Sequence, residues 1–284
     1  MPLTKHDKSS DLISDRSDFD AAFRRVLGYC ADLVEAGLAA AMSADSPAGT
    51  HQARVALRRL RAAVAAFSPL IRRKALWHLQ NEARDIFCTL GKLRDSDVTM
   101  KLASGRPGHS SRAKANADLR AKTMRRLRKS DARQFAAGLR DDLRRGKLLR
   151  RGATARVLRA APVQDFATAA LRRAWRNCQS HGTEVATMAM KKRHNLRKDL
   201  KSMRYLAEFL SPLFPALGQG AFATGLPQLQ DLLGRLNDLG LADQWLPKGA
   251  IKGDGAMDDR QRLLQEAGAI WKVLASEVEP WRGA

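Results

Sequence analysis

His51-Gln-Ala-Arg54-Val-Ala-Leu-Arg58-Arg59-Leu-Arg61 and His194-Asn-Leu-Arg197-Lys-Asp-Leu-Lys201-Ser-Met-Arg204 are one pattern written twice, 143 residues apart. His51, Arg54, Arg58 and Arg61 stand at offsets 0, 3, 7 and 10, as do His194, Arg197, Lys201 and Arg204. An α-helix turns about 100° per residue, so each set of four falls within an arc of about 80°. The opposite face is apolar in both copies. It carries Ala53, Leu57, Leu60 and Phe67 in the first, and Leu196, Leu200, Met203 and Leu210 in the second. Each copy thus predicts a helix with an apolar back, buried in a core, and a cationic front suited to a polyanion.

The same offset recurs further along. Ser68-Pro69 and Ser211-Pro212 break the chain just after the repeat helices, and Leu90-Gly-Lys-Leu-Arg-Asp95 matches Leu233-Gly-Arg-Leu-Asn-Asp238. A fixed spacing at three landmarks predicts a tandem duplication, with two halves related by a pseudo-twofold and each a four-helix-type bundle. A twofold would turn both cationic helices toward one basic groove or channel. The halves are expected at residues 18–160 and 161–284, within a single domain over 18–278, with residues 1–17 a polar, poorly ordered tail.

Composition agrees with an all-α fold. The chain has 38 Leu against 15 Val plus Ile, a helix-forming balance, and no segment alternates as a strand would. Helices are predicted at about 18–43, 48–67, 70–90, 94–103, 111–129, 131–146, 163–180, 184–210, 220–239 and 257–278. Loops are expected at 104–108, 147–154, 216–220 and 247–255. Gly91 and Gly234 are read as tight or close-packed turns.

The charge is large and localised. The 284 residues carry 51 Lys+Arg against 29 Asp+Glu, a net +22. Residues 1–50 hold 5 basic and 8 acidic side chains and residues 226–284 hold 7 and 9, leaving 39 and 12 for 51–225. Such density opposes compaction unless an anion sits on it. Nucleic acid, an anionic membrane surface and polyphosphate all qualify on charge alone. Cys30, Cys88 and Cys178 are odd in number and widely spaced, which points to a reducing compartment rather than a disulfide framework or a zinc site. No signal peptide and no membrane-spanning run are expected, so the protein is expected in the cytoplasm without a membrane partner.

His51–Phe67 with Leu90–Val98, and His194–Leu210 with Gln230–Leu241, resemble the CHAD domain (conserved histidine α-helical domain) in order and spacing, over about residues 18–278. The resemblance implies an all-α fold of two pseudo-symmetric bundles around a basic surface that binds inorganic polyphosphate, in proteins associated with polyphosphate granules. The ExExK signature of the CYTH triphosphatase, a common fusion partner, is absent from this sequence, so no catalytic activity of such a neighbour is implied.

The candidate polyphosphate-binding residues are therefore His51, Arg54, Arg58, Arg59, Arg61, Arg72 and Arg73 in the first half, and Arg172, Arg173, His194, Arg197, Lys198, Lys201 and Arg204 in the second. Arginine suits the task because its planar fork gives two parallel hydrogen bonds to phosphate oxygens. An ordinary solvated face is the alternative for any single stripe. The histidines either contact the anion or pack locally. No intrahelical partner at i+3 or i+4 makes them a metal pair, and no cofactor is expected. Asp95, Asp97 and Asp238 are read as structural groups, since a carboxylate in an anion site repels the ligand. With no Gly-rich phosphate loop, nucleophile–base pair or acidic cluster, the expected role is binding rather than catalysis. Weak, non-specific nucleic-acid binding through charge is the alternative function. The sequence does not identify a protein partner. The scattered tryptophans and the positions of Phe67 and Tyr205, read as core, form no base-stacking ladder.

Overall fold

The computed structural model describes residues 12–14, 17–43, 47–102, 109–245, 254–277 and 279–281. Among them every extended regular element is helical, and one isolated antiparallel bridge joins Ile71 to Leu149. The fold is all-α. The chain divides into two compact units, one of residues 18–161 and one of the remainder.

In the first unit, α1 (Phe19–Ser43) starts where Asp18 Oδ1 accepts the N–H of Ala21 at 2.6 Å, an N-terminal cap. It packs along α2 (Pro47–Phe67). The approach is so close that a Cβ on Gly37 would stand 2.7 Å from the Ala53 Cα; only glycine fits there. Phe19, Phe23 and Phe67 close this end of the core, their ring centroids 5.3 to 6.1 Å apart. Ala53, Leu57, Leu60 and Phe67, the expected apolar back of α2, are all buried. A 3₁₀ turn over Ser68–Leu70 leads to α3 (Arg73–Leu102), which packs on α2, and α4 (His109–Lys129) packs on α3. Next, α5 (Ala132–Arg144) returns to α1, where Arg140 meets Asp32 and Glu35 at 2.9 Å each. The short α6 (Ala153–Ala160) ends the unit, tied to α1 by Arg159 and Asp20.

The second unit contains α7 (Val163–Gln179), α8 (Met190–Leu210), α9 (Gly220–Trp245) and α10 (Asp254–Ser276), each packed on the next. A 3₁₀ turn over Ser211–Leu213 follows α8, as the other follows α2. Leu196, Leu200, Met203 and Leu210 are buried, and so is Tyr205. Trp175, Phe222, Trp271 and Trp281, far apart in sequence, form one edge-to-face cluster with centroids 5.4 to 6.2 Å apart. That geometry is favoured by ring quadrupoles.

Several expectations are corrected. Residues 70–90 and 94–103, predicted as two helices, are one, and Gly91 and Gly234 lie inside α3 and α9 rather than at turns. A single interior glycine costs only about 1 kcal/mol, which packing on both sides outweighs. Residues 153–160 form a helix where a loop was expected up to 154. Its pattern misleads because Val157 and Leu158 are exposed and only Ala155 is buried. α8 begins at Met190, not 184, because Gly182 takes a left-handed φ of +78° and Ala189 is extended. α1 is long and apolar enough by composition to cross a membrane, yet half of that stretch is buried within the fold. Of the tail expected over 1–17, Ile13 is buried and Ser14 bonds to Ser17. The loops expected at 104–108 and 247–253 lie outside the described residues.

Candidate anion-binding faces

The α2 stripe is gathered around a side chain its own motif does not contain. Phe87, half-buried on α3, lies under three guanidiniums: Arg54 at 4.1 Å from the ring centroid, Arg61 at 5.5 Å and Arg58 at 5.6 Å. Arg54 Nη1 also donates to the Phe87 carbonyl at 3.0 Å. A Cβ on Gly91 would sit 3.0 Å from that same nitrogen, so the glycine makes room for the guanidinium rather than for a turn. Burial is the first cause that pushes the Arg54 pKa down to about 10, and neighbouring Arg58 and Arg94 push the same way, against Asp95. Arg61 is lowered mainly by burial too. Among the described residues no carboxylate lies within ion-pair distance of Arg54, Arg58 or Arg61. The face is therefore a concentration of positive charge held in place by an aromatic ring, where an arriving anion gains more than at a solvated lysine.

The other candidates of this unit lie outside the Phe87 contact. His51 is exposed at the start of the stripe. Arg59 lies on the α1 side, donating to the Tyr29 hydroxyl at 3.3 Å. Arg72 and Arg73 are exposed near the start of α3, some 14 residues or about 20 Å of helix from Phe87.

In the second unit His194, Arg197, Lys198, Lys201 and Arg204 stand on α8, with His194 and Lys198 exposed and the others half-buried. His194 Nδ1 lies 3.2 Å from Asn237 Oδ1. Arg197 approaches Gly234 less closely than Arg54 approaches Gly91, with 3.9 Å to a Cβ placed there. Arg204 is 5.2 Å over Tyr205 and paired with Glu208 at 3.3 Å. Gln230, at the position matching Phe87, is buried and donates to the Leu200 carbonyl at 2.9 Å. Lys191, Arg193, His194, Arg197 and Arg260 line a cavity of about 520 Å³. Arg172 and Arg173 lie on α7, the former paired with Glu279 at 3.4 Å. Phe87 and Arg260 lie outside the repeated motif. Phe87 has no aromatic counterpart in the second copy, and Arg260 lies far outside the repeat.

The motif carboxylates divide as well. Asp97 is buried and accepts from Arg120 Nη2 at 2.8 Å, with Asn116 Nδ2 at 3.1 Å and Arg120 also reaching Thr50 Oγ1 at 3.4 Å. Asp97 thus buttresses an arginine, as a structural carboxylate should. Among the described residues no cluster of three or more His, Cys, Asp or Glu could hold a metal ion.

The CHAD domain family model matches residues 25–247, most of the chain, and the chain belongs to the CHAD domain family. The fold is similar to the crystal structure of the CHAD domain from the plant Ricinus communis, with a TM-score of 0.70 over 94% of each chain at 20% identity. No curated protein matches the chain.

Proposed function

We propose that this protein binds inorganic polyphosphate without performing chemistry on it, through the basic faces of α2 and α8, and that it works in the cytoplasm at polyphosphate granules. One observation carries the reading. Arg54, Arg58 and Arg61 converge on Phe87 with no carboxylate at ion-pair distance among the described residues. Three guanidiniums confined this way repel one another, and a chain of phosphates relieves the repulsion while accepting their hydrogen bonds. Family membership supports it, the CHAD domain being linked to polyphosphate. Binding releases the counterions condensed on the phosphate chain, so affinity falls steeply with salt.

Competition across a salt series tests the reading. Labelled polyphosphate bound to the protein is challenged with duplex DNA and single-stranded RNA at equal phosphate. Polyphosphate retained near physiological salt, with nucleic acids failing to displace it, is the expected result. Equal competition by DNA would put non-specific nucleic-acid binding in its place. Phosphate released from polyphosphate by the pure protein would make it an enzyme.

A further inference from the structure

The cavity at the start of α8 has a feature that a phosphate chain does not use. Its cations come from Lys191, Arg193 and Arg197 on α8 and from Arg260 on α10, with the His194 imidazole among them, while its floor is apolar: Met190, Leu233 and Leu236. Leu233, Leu236, Asn237 and Gly240 stand at offsets 0, 3, 4 and 7, one face of α9. Met190 is 59% exposed, a high value for a large apolar side chain, and one that a ligand resting on it would reduce. Inorganic polyphosphate has no apolar surface to place there. A ligand that matches both walls has an anionic part and a flat or apolar part.

The dimensions narrow the class. A volume of about 520 Å³ is that of a small-molecule site. Leu233 to Leu236 is one helical turn, about 5 Å along the axis, which suits a ring system and is too short for an acyl chain. Opposite, Arg193 and Arg260 lie close enough that Arg260 adds to the burial that disfavours charge on Arg193. Arg193 is itself anchored by donating to the Met188 carbonyl. Asn237 holds the His194 ring from α9.

We propose that this cavity binds a nucleoside polyphosphate, the base lying on Met190, Leu233 and Leu236 and the phosphates on the surrounding cations. The proposal rests on the reading that the basic face of α8 takes phosphate chains, and adds a selectivity the α2 face lacks. Charge alone favours tripolyphosphate over ATP, because tripolyphosphate carries the greater negative charge. An apolar floor that the base covers reverses the order.

Calorimetric titration of the full chain with ATP, tripolyphosphate and long-chain polyphosphate decides it. The expected result is ATP bound about tenfold more tightly than tripolyphosphate. Leu236→Ser removes that difference, and Arg260→Ala weakens ATP about tenfold. Tripolyphosphate binding as tightly as ATP, or ATP affinity indifferent to both substitutions, would overturn the proposal. Long-chain polyphosphate in the same series separates the two readings. If it binds while ATP shows no preference, only the nucleotide site falls. If ATP binds with the stated preference and long-chain polyphosphate fails, the granule function falls and the nucleotide site stands.

Discussion

Arg54 and Arg197 hold the same place in matching helices, and their surroundings have diverged. Around the α2 stripe, position 87 is phenylalanine, position 94 arginine and position 65 alanine. Around the α8 stripe the matching residues are Gln230, Asn237 and Glu208. The first set concentrates guanidiniums on an aromatic face. The second pairs Arg204 with a carboxylate and His194 with an amide. Both helices keep the same buried back. Packing, which any misfit disrupts, keeps the hydrophobic positions alike, whereas one cationic front concentrates charge and the other is partly compensated.

The buried pair that supports only the first unit gives the largest effect. Asp97 has Gly240 as its counterpart, so the pair has no match at that position of the second unit. Asp97→Ala strands the Arg120 charge, whose side chain is 9% exposed, and should destabilise the fold by about 3 kcal/mol, read by chemical denaturation. Asp97→Ala with Arg120→Leu should recover most of that loss. A single variant as stable as wild type would show that the pair carries no structural burden.

Paired truncations compare the faces themselves. Arg54→Ala with Arg58→Ala should weaken polyphosphate binding about 100-fold, from two lost charge-assisted contacts. Arg197→Ala with Lys201→Ala should cost about tenfold, and both pairs should flatten the salt dependence without changing helicity. Equal losses would mean that the difference between the surroundings of Arg54 and Arg197 has no energetic consequence. No loss in either pair would mean that the stripes are not where polyphosphate binds.

The sequence carries much of this, and unevenly. The all-α class, the buried backs of α2 and α8 and the family were legible because a helical period written twice at a fixed offset leaves few alternatives. Phe87 was not, because its contact with Arg54 joins residues 33 apart on two helices, and because reading only what the copies share discards what one copy has alone. Arg59 was grouped with the stripe by adjacency, yet one residue is 100° of rotation, which turns it toward Tyr29. Gly91 looked like a turn because glycine commonly is one; the guanidinium it accommodates comes from another helix. Arg260 entered the cavity from α10, where no motif pointed.

Exchanging the residues at the two matching positions sharpens the contrast with a smaller effect. Phe87→Leu keeps the apolar contact and removes the ring face, so polyphosphate affinity should fall about threefold to tenfold. Fold stability should change little, since Phe87 is half-buried. Gln230→Phe should not confer the reverse gain, because Gln230 is buried and bonded to Leu200 rather than placed under the stripe. Titration of both variants with one polyphosphate length checks the pair.

The smallest effect at neutral pH comes from the ionisation of Arg54. Its ligand-free pKa of about 10 lies below the ordinary arginine value, so the folded state disfavours the charged form. That cost is present at neutral pH and fades as pH rises through 10 toward the ordinary arginine range. A bound polyanion does the opposite: it favours the charged guanidinium and raises its pKa. Between pH 6 and 8, well below 10, Arg54 is fully charged with or without ligand, and its contribution to affinity should be flat. Above about pH 10 the ligand must drive protonation, and that contribution should decline by up to about tenfold per pH unit. Other cations also titrate in this range, so the measurement is the affinity gap between wild type and Arg54→Ala at each pH. The gap should be constant from pH 6 to 8 and close as pH passes about 10. A gap that persists through that range would mean that Arg54 stays charged there, against the lowered pKa, and no gap at any pH would place Arg54 outside the contact with phosphate.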